Sequence, residues 1–250
     1  MLIKPAFLLL LLLAPLPLQA AGPASEQGPA STGHPDPLGG AHGGADPHAS
    51  LSADQNIKVA LQHRDEGRLP EAIQVMQQTL QKYPEHAASH AVMADLLREQ
   101  GDNAGALAMI EKAISLDDSV ALFHVSRALM YMPFQRYEEA LADLDRAIAL
   151  DPDMIAARFN RGSLLAQRER YEQALQDFDH CIAVDPHLPA PYFNRGSVRY
   201  SLGMKEQAVA DIEHFIELTD NDDWKQTARE LLQAWEERQM QAGDAQDGNP

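Results

Sequence analysis

A chain of 250 residues with 45% hydrophobic and 23% charged residues has the composition of a soluble globular protein with a buried core. Its formal net charge of −17 argues against nucleic acid as a partner, because the phosphates would be repelled rather than neutralised. The single cysteine, Cys181, excludes an intramolecular disulfide, so the stability of the fold has to come from packing.

The first twenty residues, MLIKPAFLLLLLLAPLPLQA, have the pattern of a secretory signal peptide. A lysine precedes an apolar run over 6–13, two prolines follow the run, and a small-residue cleavage position lies at Ala20. The run is shorter than the roughly 20 residues that span a bilayer, and no cysteine follows for acylation. We therefore expect residues 1–20 to be removed and the protein to be exported without stable membrane insertion. A bacterial periplasm is the favoured compartment, with secretion as the alternative.

Residues 21–51 are rich in Gly, Pro, Ala and Ser and offer little to bury, which predicts a disordered linker. His34, His42 and His48 lie in this segment and raise an alternative function, a metal-handling protein that works through a histidine-rich tether. Flexible and irregularly spaced imidazoles bind transition metals weakly. No metal site and no cofactor are therefore predicted.

Between residues 52 and 222 the sequence repeats itself at a constant interval, the one that separates Ala72 from Ala106. Two positions in each unit carry a small residue, which allows two neighbouring helices to approach closely. The positions four and eight residues after the second small one are apolar and complete one helix face. Glycines mark the turn inside several units. The five units are 53–86, 87–120, 121–154, 155–188 and 189–222. The first small position holds Ala60, Ala94, Ala128, Gly162 and Gly196, and the second holds Ala72, Ala106, Ala140, Ala174 and Ala208.

This pattern, with Tyr137 and Tyr171 at the aromatic position before the alanine, resembles the tetratricopeptide repeat family over residues 53–222. The resemblance implies an all-α, right-handed superhelical solenoid of antiparallel helix pairs. It also implies that the first helix of each repeat lines a concave groove that binds a peptide or helix of a partner protein. The expected function is that of an exported protein-protein interaction scaffold.

After the last repeat, residues 223–240 are predicted to form a capping helix that covers the exposed apolar face of the stack. Asp222 and Asp223 suit its N-terminal cap. The polar residues 241–250 are predicted to be a disordered tail. The apolar face of the helix is formed by Trp224, Ala228, Leu231, Leu232 and Trp235.

The sequence shows no motif that would support catalysis: there is no phosphate-binding glycine loop, no nucleophile elbow and no zinc-binding pair of cysteines. An enzyme is therefore not predicted. Cys181 lies at a small, packed position and is interpreted as an inert core thiol. His90 and His124 share one position of neighbouring repeats, and His180 and His214 share another, which is interpreted as repetition of sequence rather than as a ligand set.

The resemblance places the candidate partner-binding residues on the first helices of the middle and late repeats. Apolar anchors there stand beside amides and hydroxyls, a combination suited to a peptide. The alternative for Asn160 and Asn194 is that they satisfy polar groups inside the repeat. The adjoining Arg161 and Arg195 are expected to point between helices. The candidate residues are Val125, Leu129, Met132, Phe159, Asn160, Ser163, Phe193, Asn194, Ser197 and Tyr200.

Overall fold

The structure is a computed structural model that describes residues 51–247, with side chains described as far as residue 238. The predicted signal peptide and nearly all of the predicted linker, with its three histidines, lie outside the described residues. Within them the chain forms eleven α-helices, one short 3₁₀-helix and no strand. In chain order these are α1 (Ala53–Asp65), α2 (Leu69–Lys82), α3 (Ala87–Gln100), α4 (Asn103–Leu116), α5 (Ala121–Tyr131), the 3₁₀-helix (Met132–Phe134), α6 (Tyr137–Leu150), α7 (Ile155–Gln167), α8 (Tyr171–Val184), α9 (Pro189–Ser201), α10 (Lys205–Leu218) and α11 (Asp222–Asp247).

The helices keep the interval of the sequence repeat. The first helix of each pair begins at 53, 87, 121, 155 and 189, and the second begins at 69, 103, 137, 171 and 205. Both series advance by the same constant step, and within each pair the two helices pack against each other. The predicted fold class, an all-α array of helix pairs, is confirmed.

The described residues fall into two compact units, one ending at Leu116 and one beginning at Asp117. The first contains α1 to α4. Its core is built around Ala60 and Ala72, which are fully buried at the two small positions of the first repeat, with Met76 and Leu96 packed beside them. Ser52 starts α1 with a capping box: its Oγ accepts from the Gln55 backbone N–H, and the Gln55 side chain accepts from the Ser52 N–H.

The second unit contains α5 to α11, and here the small residues have a direct steric cause. A Cβ atom at Gly162 would lie 2.9 Å from Phe178 Cε1, and one at Gly196 would lie 3.0 Å from Ile212 Cδ1. Real Cβ contacts are longer than this, so α7 and α8, and likewise α9 and α10, are as close as glycine allows at these positions. The prediction of close helix approach at these positions is confirmed.

The turn inside each pair has a left-handed residue at the same position of every repeat. Gly67, Gly101 and Gly203 adopt φ values of 75°, 93° and 77°, which glycine adopts without strain. Gln135 and Glu169 take the same position with φ values of 57° and 59°. Backbone geometry therefore requires the left-handed turn in all five repeats, including the two whose sequence lacks the glycine signal.

The loops between repeats are held by a side chain at the fourth residue of the second to fifth repeats. It donates to the backbone carbonyl six residues earlier, with distances between 2.8 and 3.1 Å. This explains why His90 and His124 recur one repeat apart and supports the interpretation that they are repeat residues. The pairs are His90 Nε2 to Pro84, His124 Nε2 to Asp118, Arg158 Nε to Pro152 and Tyr192 Oη to Pro186.

Arginines at one position of α5, α7 and α9 each bind an aspartate of the second helix in the same pair. Two of them also bind an aspartate of the preceding second helix, so they join neighbouring repeats. These hydrogen bonds raise the pKa of Arg161, and those that it donates to Asp177 are the largest cause. As expected, the arginines point between helices. The contacts are Arg127 to Asp143 (2.7 Å), Arg161 to Asp177 and Asp145 (both 2.7 Å), and Arg195 to Asp211 (2.6 Å) and Asp179 (2.7 Å).

The capping helix α11 differs from its prediction at both ends. Asn221 rather than an aspartate caps it, because the Asn221 Oδ1 accepts from the Trp224 N–H at 3.0 Å. The helix continues to Asp247, through most of the segment predicted to be a disordered tail. Its predicted apolar face does pack on the last repeat, where Ala228 and Trp235 are buried. No helix in the described part of the chain is long and apolar enough to cross a membrane.

Candidate functional site

The candidate partner-binding residues all lie in the second unit, on or next to α5, α7 and α9. Their shared face is called the α5–α7–α9 face below. The structure separates the residues into four groups: apolar side chains in the core, polar side chains bonded within the protein, a small set around one pocket, and Tyr200, which the capping helix covers. Only the third group combines accessible side chains with an unused polar atom.

The predicted aromatic anchors belong to the core. Phe159 has no exposed surface and its ring lies 5.9 Å from that of Phe178. Phe193 is buried between Phe215 and Trp224, at centroid distances of 5.0 and 6.3 Å. The expectation that these rings offer an open face to a ligand is corrected here. Both side chains point from the first helix of their repeat toward the second helix of the same repeat. Val125 is likewise buried.

The amides and hydroxyls of the face are largely bonded inside the protein. Asn160 Nδ2 donates to the Ala156 carbonyl at 2.8 Å, and Asn194 Nδ2 donates to Ser163 Oγ at 3.0 Å, which joins α9 to α7. Ser197 Oγ donates to the carbonyl of Phe193 at 2.9 Å. The alternative interpretation is that the two asparagines satisfy polar groups of the repeats. It fits their Nδ2 groups, which both donate to other groups of the protein.

Asn160 retains one unused atom. Its side chain is 3% exposed, and its Oδ1 has no hydrogen-bond partner among the described residues. An unpaired buried acceptor costs about 1 to 3 kcal/mol, so it needs an occupant or an explanation.

A small pocket between α5, α6 and α7 is lined in part by Asn160. Leu129 and Met132, both partly exposed, form its α5 side, and Asn160 and Leu164 form its α7 side. The space is about 10 Å³, which is room for one water molecule or one small group of a ligand. Three of the candidate residues, from two different repeats, thus meet at one place.

Tyr200 lies at the C-terminal end of the face and is covered by the capping helix. Its ring stacks on Trp235 at 4.1 Å with an interplanar angle of 6°. The partner of this aromatic side chain is therefore α11 rather than an open surface.

The histidines and carboxylates of the described residues are the candidate ligands for a metal centre. No group of three or more His, Cys, Asp or Glu side chains in the described part of the chain could hold a metal ion. His180 and His214 each face one carboxylate, Asp153 at 3.1 Å and Glu217 at 3.2 Å. The histidine-rich tether lies outside the described residues, so the metal-handling alternative stays a prediction.

Cys181 is buried, and burial, with a smaller contribution from the Asp177 charge, raises the pKa of its thiol to about 12. A thiol with so high a pKa forms almost no thiolate at neutral pH. The interpretation of Cys181 as an inert core residue is supported.

Two features were not anticipated from the sequence. Asp95 on α3 has its pKa raised to about 6, chiefly by burial, although Arg98 and Arg64 lower it. A groove of about 500 Å³ also lies between α6 and α8, on the side of α7 that carries Arg161 and Leu165. In the sequence, the groove is marked by Leu165, which takes the position that Arg199 has in the next repeat. Only the structure shows that this difference concerns a groove.

An array of helix pairs that recur at a constant interval defines a helical-repeat protein. Tetratricopeptide repeat models match residues 63–124, 127–190 and 190–222, which together cover more than half of the chain. The chain belongs to the tetratricopeptide repeat family.

Solved structures support the same fold. PilF of Pseudomonas aeruginosa is similar with a TM-score of 0.64 and 18% identity, covering 79% of this chain and 93% of that one. YrrB, described as a TPR protein with an unusual peptide-binding site, has a TM-score of 0.56 and 19% identity, covering 73% and 94%. MamA from Desulfovibrio magneticus RS-1 has a TM-score of 0.59 and 16% identity, covering 68% and 97%. At these identities the likeness concerns the fold alone. No curated protein sequence matches the chain.

Proposed function

We propose that the chain is an exported protein-interaction scaffold that binds a peptide or helix of its partner on the α5–α7–α9 face. Membership of the tetratricopeptide repeat family favours a scaffold, because stacked helix pairs create extended binding surfaces. YrrB, a neighbour in fold, is described as having a peptide-binding site. We propose no catalytic role for the chain.

The observation that carries this proposal is the pocket between α5 and α7. Leu129 and Met132 provide partly exposed apolar surface, and Asn160 Oδ1 provides a hydrogen-bond acceptor with no partner among the described residues. A peptide could place an N–H or O–H donor on this oxygen while an apolar neighbour covers the methionine and leucine. Such a contact would remove the penalty of the unpaired acceptor and so favour the bound state.

Export is proposed from the N-terminal sequence. The lysine, the apolar run and the small-residue end of residues 1–20 form a signal-peptide pattern. N-terminal sequencing of the protein from its producing cell should find a chain that begins near Ala21. An intact Met1 on the purified protein would contradict export by this route.

The binding proposal is tested by site-specific photo-crosslinking in the producing cell. A photoreactive residue at position 132, beside the pocket, should capture a partner. The same residue at position 184 serves as the control, because Val184 is 42% exposed and lies on α8 away from the pocket. The captured protein is then identified, purified and titrated against variants.

The matched variants are Asn160→Ala and Asn194→Ala. Both remove one internal hydrogen bond, so Asn194→Ala should lower the free energy of unfolding by about 1 kcal/mol, and Asn160→Ala should lower it by less because the unpaired Oδ1 is removed as well. Only Asn160 lines the pocket, so Asn160→Ala should weaken partner binding roughly tenfold and Asn194→Ala should leave it unchanged. Equal affinity of both variants and the parent would place the binding surface elsewhere.

A further inference from the structure

A second groove lies on the other side of α7, between α6 and α8. It has a volume of about 500 Å³, which is within the range of ligand-binding pockets. Its floor is apolar, its α6 wall carries two acidic side chains, and its α7 and α8 side carries two arginines. Among its lining residues are Glu138, Leu141, Asp145, Arg161, Leu165 and Arg170.

The next repeat shows which chemical group fits such a groove. Arg199 is the counterpart of Leu165 one repeat later, and its guanidinium lies between α8 and α10. Arg199 Nη1 donates to Asp211 Oδ2 at 2.7 Å, and Nη2 lies 4.0 Å from Asp179 Oδ1. The protein itself therefore places an arginine side chain between two second helices, with Asp179, the counterpart of the groove residue Asp145, as its more distant neighbour.

The α6–α8 groove has the acidic wall without this arginine. Leu165 is a buried floor residue there, and Asp145, the counterpart of Asp179, is 62% exposed and bound through Oδ1 to Arg161 at 2.7 Å. Glu138 is exposed on the same wall and forms no ion pair within the described residues. Arg170, on the α8 side, donates to the neutral amide oxygen of Gln173 at 2.6 Å.

We propose that the α6–α8 groove binds an arginine side chain of a partner peptide beside Asp145, as Arg199 lies beside Asp179 in the next repeat. The aliphatic part of the arginine covers Leu141 and Leu165, and its guanidinium binds Asp145 and Glu138. The net charge of −17 favours a basic partner by long-range attraction. The site goes beyond the pocket proposed above, since it uses Arg161 and Leu165 rather than Asn160 and Leu164 of α7.

The test uses nuclear magnetic resonance titrations of the full exported chain with blocked pentapeptides. The probe is acetyl-Gly-Ala-Arg-Ala-Gly-amide, and its control carries citrulline, which has nearly the same shape and no charge. The arginine peptide should shift the amide signals around Leu141 and Leu165. The citrulline peptide should bind roughly tenfold more weakly, because a charge-assisted hydrogen bond is lost.

Three variants separate this site from general attraction of basic peptides. Leu165→Arg supplies the guanidinium from within, as Arg199 does, and should abolish the shifts. Leu165→Met keeps the floor apolar and should retain them. Gln226→Arg adds the same charge at an exposed position of α11 and should also retain them. The proposal is overturned if the two peptides bind equally, if no groove signal shifts, or if Leu165→Arg binds like the parent. None of these results tests the α5–α7 pocket, which is tested separately by crosslinking at position 132 and by the Asn160→Ala variant.

Discussion

Arg161 holds the buried carboxylate of Asp177 with two hydrogen bonds, Nε to Oδ2 at 2.8 Å and Nη2 to Oδ1 at 2.7 Å. Asp177 is only 1% exposed, so its charge has little water to stabilise it. The same guanidinium reaches Asp145 of the preceding repeat. One side chain thus neutralises a buried charge and joins two repeats.

We expect Arg161→Gln to lower the free energy of unfolding by about 2 to 4 kcal/mol, because a buried aspartate is left with a weaker partner, Arg158 at 3.5 Å. Chemical denaturation measures the change. Arg170→Gln is the control, since Arg170 is exposed and binds only a neighbouring amide, and its stability should match the parent. Equal loss in both variants would show that the pairing with Asp177 is not the cause.

The raised pKa of Asp95, about 6, makes stability depend on pH. In the unfolded chain an aspartate loses its proton near pH 4, while the folded protein keeps the proton on Asp95 up to about pH 6. The unfolded state therefore binds fewer protons between these values, and this group reduces stability as the pH rises through them. Asp95→Asn removes the effect and should raise the free energy of unfolding by about 1 to 2 kcal/mol at pH 7.5, with little change at pH 4. A gain of equal size at both pH values would contradict the assignment.

The left-handed turn position offers a pair of opposite substitutions. Gly203→Ala should lower stability by about 1 kcal/mol, because a φ of 77° is unfavourable for a residue with a Cβ atom. Glu169→Gly should raise stability by up to about 1 kcal/mol, because the strain at a φ of 59° is relieved. Thermal melts of both variants, compared with the parent, measure the changes. A destabilised Glu169→Gly would mean that the flexibility of glycine in the unfolded chain outweighs the relief.

Close packing at the second small position predicts a large effect of added volume. Ala174 is fully buried, and Ala174→Leu should lower stability by about 1 to 3 kcal/mol through overpacking. Ala210→Leu adds the same atoms to an exposed position of α10 and should change stability by less than about 0.5 kcal/mol. Denaturation curves that do not distinguish the two variants would show that the helix contact adapts to the larger side chain.

The capping helix should stabilise the last repeat through Trp235. This side chain is 4% exposed and stacks on Tyr200, so Trp235→Ala should cost about 3 kcal/mol and expose apolar surface. Hydrogen exchange should then accelerate in α9 and α10 before the rest of the unit. Glu236→Ala, on the exposed side of α11, should leave exchange there unchanged.

The helices could be predicted from the sequence because their signals are local and repeated five times. Small residues, apolar positions and turn glycines recur at one constant interval, and each unit confirms the register of the others. Even so, the end of α11 was missed, since a polar composition at a chain end does not exclude helix. Asn221 was missed as its cap because the adjacent aspartates are equally good capping residues by type.

The sequence by itself determined where each helix pair begins and which positions bring two helices close together, because these depend on backbone geometry and residue size. Only the tertiary structure decided which side chains of a first helix remain accessible. Phe159 and Asn160 are neighbours in sequence, yet Phe159 enters the core against Phe178, while Asn160 lines a pocket between repeats and has an unpaired oxygen. Their difference depends on the helices that pack around them, and those contacts join residues far apart in the chain.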